Sequence, residues 1–282
     1  MKLTPMITIT IAGLAVLFAC TEKSSIPPVT APTVVTDKGW NFETAAAWSD
    51  EFDGTSVNGS RWTFETGGGG WGNNELQNYT NGNNARLSGG NLIIEARRET
   101  SGGREYSSTR MISKGKGDWL YGRFEVRAKL PAGRGTWPAI WMLASENSYG
   151  TWPASGEIDI MEHVGYDPNK VHFSVHTSAY NHTRNTQRST NKMVPTALTN
   201  FHTYRCDWTP FAVRGFIDGV QYFEFTNENK SFAEWPFNKK FFMILNIAVG
   251  GNWGGAQGVD NTIFPARMEV DYVRYFKMIE QP

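Results

Sequence analysis

The chain has 282 residues, enough to bury a substantial core in one large domain or two ordinary ones. Lysine plus arginine number 27 and so do aspartate plus glutamate, so the formal net charge is zero. The basic excess of a nucleic-acid binder is absent, and neutral ligands are favoured over ones selected by bulk charge.

Residues 1–20 read as an address. Lys2 precedes an apolar run from Met6 to Phe18 that is too short to span a bilayer. Leu17-Phe18-Ala19-Cys20 resembles the lipobox of bacterial lipoproteins, in which the cysteine becomes the first mature residue and carries the lipid. Phe18 stands where a small residue is usual, and ordinary cleavage near Ala19 is the alternative. The expectation is a lipoprotein-type signal peptide over 1–20. The mature protein would then be exported to the bacterial cell envelope and anchored to a membrane through Cys20. Residues 21–39, rich in Pro, Thr, Val and Ser, suit a flexible tether. The folded domain is expected over 40–280. With Cys206 the only other cysteine, no disulfide framework is expected, and Cys206 reads as a small buried hydrophobe.

No long helical period follows residue 40. Ser-Gly-Gly between Asn84–Leu87 and Asn91–Arg97 predicts a hairpin. Tyr121–Leu130 alternates Phe124, Val126 and Ala128 against charged neighbours. Asp218-Gly219 divides Val213–Phe225 at a two-residue turn. One helical turn is expected near Ser231–Trp235. Phe241–Val249 is almost wholly apolar, as a strand buried on both faces would be, and Met268–Met278 alternates again. Many short strands with such punctuation imply an antiparallel sandwich or barrel.

The chemistry is concentrated in Gly156-Glu157-Ile158-Asp159-Ile160-Met161-Glu162-His163. Strand side chains alternate faces, so Glu157 and Asp159 share one and Ile158 and Ile160 the other. Strict alternation would send Glu162 into the core. A bulge at Ile160-Met161 adds one residue and turns it back. Three like charges on one face repel, and in a partly dry site that repulsion raises the pKa of one carboxyl while another stays ionised. Glycoside hydrolysis needs such a pair, about 5–5.5 Å apart in retaining enzymes. A solvated polar strand and an acidic metal site are the other readings, although H-E-x-x-H and its inverse are both absent.

Glu157-Ile158-Asp159-Ile160-Met161-Glu162 resembles the active-site motif of glycoside hydrolase family 16. With Met161 inserted it is similar to the laminarinase branch (endo-β-1,3-glucanases), whereas lichenases lack the insert. Trp71–Tyr79, Tyr121–Glu125, Gly135–Leu143 and Gly250–Gly255 extend the resemblance over about residues 48–277. It implies an all-β, concanavalin A-like jelly-roll β-sandwich with a cleft on its concave sheet. It implies Glu157 as nucleophile, Glu162 as acid/base and Asp159 as their orienter, with no catalytic cofactor. It also implies Asn73 and Arg110 on hydroxyls of non-reducing-side sugars, Trp137 near the reacting sugar, and His172 near the leaving one. Asp271 in Val270-Asp271-Tyr272 resembles a structural calcium ligand, and equally reads as an ordinary exposed aspartate.

Trp137 and Trp141, four apart, share a strand face, where Trp141 reads equally as core. Trp253 in a glycine-rich loop has little local packing and suits sugar contact. His172, Ser174 and His176 alternate on the strand after the acids and aim into one cleft. The expected function is retaining endo-hydrolysis of β-1,3-glucan by a monomer. Mixed-linked glucan or a galactan is the second substrate reading, and a non-catalytic carbohydrate-binding sandwich the third.

Overall fold

Alternation along the strands builds two antiparallel-dominated sheets packed face to face. The computed structural model describes residues 34–280. Among them are twenty strands and one 3₁₀ helix, His182–Arg184. One sheet has eight strands and the other ten, and Asn41–Phe42 pairs separately with Met278–Ile279. The fold is a jelly-roll β-sandwich. The expected signal peptide and Cys20 lie outside the described residues. At its described end, the expected tether meets the domain: Val35 N–H donates to Asn229 Oδ1 at 2.7 Å, and Asp37 pairs with Arg214 at 2.7 Å.

The eight-stranded sheet carries the cleft. Its order is Arg188–Met193, Lys170–His176, Glu157–Glu162, Thr136–Ala144, Phe241–Val249, Arg110–Ile112, Thr63–Glu65, with Asp118–Trp119 also on Phe241–Val249. All nine residues of Phe241–Val249 are buried, because that strand has the core on one face and the cleft floor on the other. The inner faces meet through Ile158, Ile160, Val171, Phe173 and Val175 on this sheet and Phe124, Val126, Met268 and Val270 on the other. Each fully buried side chain of this size stabilises by roughly 1.5–3 kcal/mol. Gly215 makes room for the Phe173 ring, which an added Cβ would approach to 2.3 Å.

The expected hairpins are present. Ser88 pairs with Asn91 across Gly89-Gly90. Asp218 and Gly219 both have positive φ, 50° and 80°, as the tight turn between Ala212–Ile217 and Val220–Thr226 requires. At Ser231–Trp235 the chain makes one turn, with Trp235 N–H donating to Ser231 O at 2.9 Å, but no helix.

Candidate active site

Gly156 has φ +88°, and an added Cβ would lie 2.7 Å from Pro236, so glycine is required where the chain swings into the acidic strand. Across that strand the pairing skips one residue on both sides. Asp159 faces Trp141 and Met161 faces Ile140; Asp159 faces Ser174 and Glu162 faces His172. The expected bulge at Ile160-Met161 is there, and Ile160 and Met161 are both buried, at 1% and 0% exposure. Two consecutive side chains therefore enter the core, and Glu157, Asp159 and Glu162 all line the cleft.

Each outer glutamate accepts an indole N–H. Trp152 Nε1 donates to Glu157 Oε2 at 2.6 Å, and Trp137 Nε1 donates to Glu162 Oε1 at 3.0 Å. His176 Nε2 stands 3.3 Å from Asp159 and 4.0 Å from Glu157. The cleft has a small lobe of about 50 Å³ under Asn73, Glu75, Trp141 and Asn246. A larger one of about 450 Å³ opens toward His172, Ser174, His176, His182, Gln187 and Trp253. Glu157 and Glu162 border both lobes. A chain crossing the strands would thus lie on either side of the carboxyls. Two partly buried carboxyls facing one cleft can supply a nucleophile and a proton donor.

The model of glycosyl hydrolases family 16 matches residues 72–274. The chain belongs to this family. It is 50% identical to a beta-glucanase of Rhodothermus marinus, over 99% of this chain and 98% of that one. It is 39% identical to a glucan endo-1,3-beta-glucosidase of Cryptopygus antarcticus, over 80% of this chain and 90% of that one. The crystal structure of the laminarinase from Rhodothermus marinus superposes with a TM-score of 0.83 at 52% identity, covering 86% of this chain and 99% of that one.

Family 16 chemistry depends on how the three carboxyls share charge. Burial, then the charge of Asp159, pushes Glu157 up to about 8, against the opposing pull of His176 and the Trp152 hydrogen bond. Burial, then the charge of Glu157, pushes Glu162 up to about 7. Asp159 is driven well above the carboxylate range by burial and then by Glu162. The folded site therefore holds protons that the unfolded chain has released, and stability must fall as pH rises through these values. His163, buried beside Glu162 and lowered by burial to about 4, acts oppositely, but only below its unfolded value near 6.5. The carboxyl effect thus stands alone between about pH 6.5 and 8. Thermal unfolding should shift downward across that window, and Glu157→Gln should flatten the decline and gain a few degrees at pH 8, at roughly 2–4 °C per kcal/mol. Equal slopes for the two proteins would refute this account.

The remaining expected residues divide. Asn73, Trp137, Trp141, His172, His176 and Trp253 all line the cleft. Trp253 stands edge-on to Trp137 at 5.5 Å and to His172 at 4.9 Å. Arg110 lines neither lobe. Its guanidinium lies 4.8 Å from both the Trp71 and Trp141 rings, and its Nε donates to Glu65 at 2.6 Å. It packs against Trp141, which does line the cleft. Asp271 lies on the ten-stranded sheet, where the Arg127 guanidinium holds its carboxylate.

Sequence reasoning missed Trp152, Glu75, Asn246 and His182. Trp141 Nε1 donates to Asn246 Oδ1 at 2.7 Å, Asn246 Nδ2 to the Tyr79 hydroxyl at 3.0 Å, and that hydroxyl to Glu75 at 3.2 Å. Glu75 also accepts from Gln77 at 2.6 Å and Asn73 at 3.3 Å. A connected network of this kind fixes the cleft floor. Asn246 could have been found as the single polar residue in Phe241–Val249, and Glu75 as the one carboxylate in the Trp71–Tyr79 stretch.

Proposed function

We propose that this family 16 hydrolase cleaves β-1,3-glucan internally, with retention, using Glu157 as nucleophile and Glu162 as acid/base. The observation that carries the proposal is the bulged strand, which turns three carboxyls into one cleft that runs past them on both sides. Glu162 protonates the oxygen of the leaving sugar while Glu157 attacks the anomeric carbon and forms a glycosyl ester. Glu162 then removes a proton from the incoming water, which releases the sugar with its β configuration restored. Asp159, between the two and beside His176, orients Glu157 and shares its proton. No metal enters any step, and calcium at Asp271 forms no part of the proposal.

The test is a panel of polymers with reducing ends counted over time. Laminarin should be cleaved fastest, mixed-linked glucan more slowly, and agar not at all. Faster release from a galactan would overturn the substrate assignment, and tight laminarin binding with no new reducing ends would make the protein a lectin.

The proposal places the enzyme at the bacterial cell envelope, acting as a monomer tethered by lipid on Cys20. Support comes from Leu17-Phe18-Ala19-Cys20 after an apolar run, and from a single chain supplying all three carboxyls. Cys20→Ser should move the protein from the membrane to the soluble fraction of fractionated cells with kcat on laminarin unchanged. Equal membrane content in mutant and wild type would refute the anchor.

A further inference from the structure

Glu157 and His176 stand directly opposite each other on neighbouring strands, and Asp159 lies further along the acidic strand, opposite Ser174. Directly opposed residues share a face, and so do residues two apart on one strand. The three side chains therefore converge from two strands. Each brings one oxygen or nitrogen to a common point, with these atoms all within 4.8 Å of one another. His176 Nε2 is 3.3 Å from Asp159 Oδ2 and 4.0 Å from Glu157 Oε1. Asp159 and His176 are only 1% and 6% exposed, yet Asp159 Oδ2 and His176 Nδ1 have no hydrogen-bond partner among the described residues. Buried polar atoms nearly always have one, and a buried oxygen without it points to a ligand or an ion. The larger lobe of the cleft, which Glu157 and His176 line, gives the common point an opening to solvent.

We propose that Glu157, Asp159 and His176 form a site for a divalent transition-metal ion, Zn²⁺, which occupies the nucleophile and inhibits the enzyme. Ligand atoms bound to a tetrahedral zinc ion lie roughly 3.3–3.5 Å from one another. The Asp159–His176 distance already fits, and a small rotation of the Glu157 side chain closes the rest. Two carboxylates and an imidazole, with a fourth position open to the cleft, suit zinc. They are too few oxygens for calcium, and magnesium does not favour imidazole. A zinc-bound histidine usually donates its other N–H to an oxygen acceptor. His176 Nδ1 has none among the described residues, so the ion is exchangeable rather than resident. Bound there, it takes the carboxylate that would attack the anomeric carbon, so ion and reacting sugar exclude each other. This kinetic consequence rests on the reading of Glu157 as nucleophile, whereas the binding geometry does not.

The test uses the full, tag-free protein, titrated with ZnCl₂ by calorimetry, and crystals soaked in ZnCl₂ and measured at the zinc absorption edge. One ion should bind, with anomalous density between the three side chains. MgCl₂ and CaCl₂ should give neither heat nor density there. His176→Ala and Glu157→Gln should each weaken zinc binding by roughly tenfold or more, since losing even an outer partner of a metal ligand costs about 10–100-fold. His182→Ala should leave zinc affinity nearly unchanged, although that ring stands 5.2 Å from the His176 ring. Thermal unfolding confirms that each variant is folded, and the wild-type soak needs no variant. On whichever polymer the wild type cleaves, zinc should raise the apparent KM and leave kcat, and EDTA should reverse the effect. Density only at the His202–Asp218 pair overturns the site. Unchanged zinc affinity in folded His176→Ala overturns it too. Zinc held by the three side chains with undiminished cleavage upholds the site and overturns Glu157 as nucleophile.

Discussion

Glu157→Gln and Glu162→Gln should each lower kcat on laminarin by a factor on the order of 10³ or more while leaving the fold intact. Glutamine is nearly isosteric, and at Glu157 it removes a carboxyl that burial and Asp159 force up to about 8, so stability should hold or rise. The amide can neither attack carbon nor deliver a proton. Retention by either folded variant of more than about a tenth of wild-type kcat would sink the assignment, since general acid–base catalysis alone contributes 10²–10⁴-fold. Azide separates the two roles. In Glu157→Ala it occupies the place of the nucleophile and should yield an α-glycosyl azide. In Glu162→Ala, given a substrate with an activated leaving group, azide should attack the glycosyl ester and yield the β-azide. Products of the opposite configuration would interchange the roles.

The acidic strand was legible because its message needs only parity and charge. Three carboxyls alternate with aliphatics, and one extra residue demands a bulge at Ile160-Met161, where the register slips. Phe241–Val249 was legible for a similar reason, its apolar run leaving no solvated face. What surrounds a side chain in space was less legible. Arg110 carries a charge suited to sugar hydroxyls, but two indoles and Glu65 enclose it. Asp271 carries a charge suited to a cation, and its ion pair with Arg127 was not visible in the sequence. Trp152 lies in a loop, where no period marks the direction of a side chain, so its bond to Glu157 emerged only from the fold. Local rules place a residue on a face of its own strand; its partners come from strands and loops far along the chain.

Deleting Met161 should damage activity on laminarin far more than Met161→Leu. The reason is not simple parity. With Met161 removed, Ile160 still points inward and Glu162 still points to the cleft. Glu162 would also keep Ala139 and His172 as its register partners, since the bulge is the only residue the neighbours skip. What the deletion takes away is the bend and added twist that a bulge imparts, together with a wholly buried side chain of the core. The void should cost about 2–5 kcal/mol, lowering Tm on the order of 10 °C. The straightened strand would shift Glu162 relative to Glu157 and to the Trp137 N–H that holds it at 3.0 Å. Met161→Leu keeps the backbone and most of the volume and should cost under about 1.5 kcal/mol with activity retained. Both variants are assayed on laminarin and on mixed-linked glucan at matched folded fraction. The deletion should lose most laminarin cleavage and proportionally less on the mixed-linked polymer, whose lichenases carry the strand without the insert. A deletion variant equal to wild type on laminarin would mean that the bend does not position the carboxyls, and that Met161 serves the core alone.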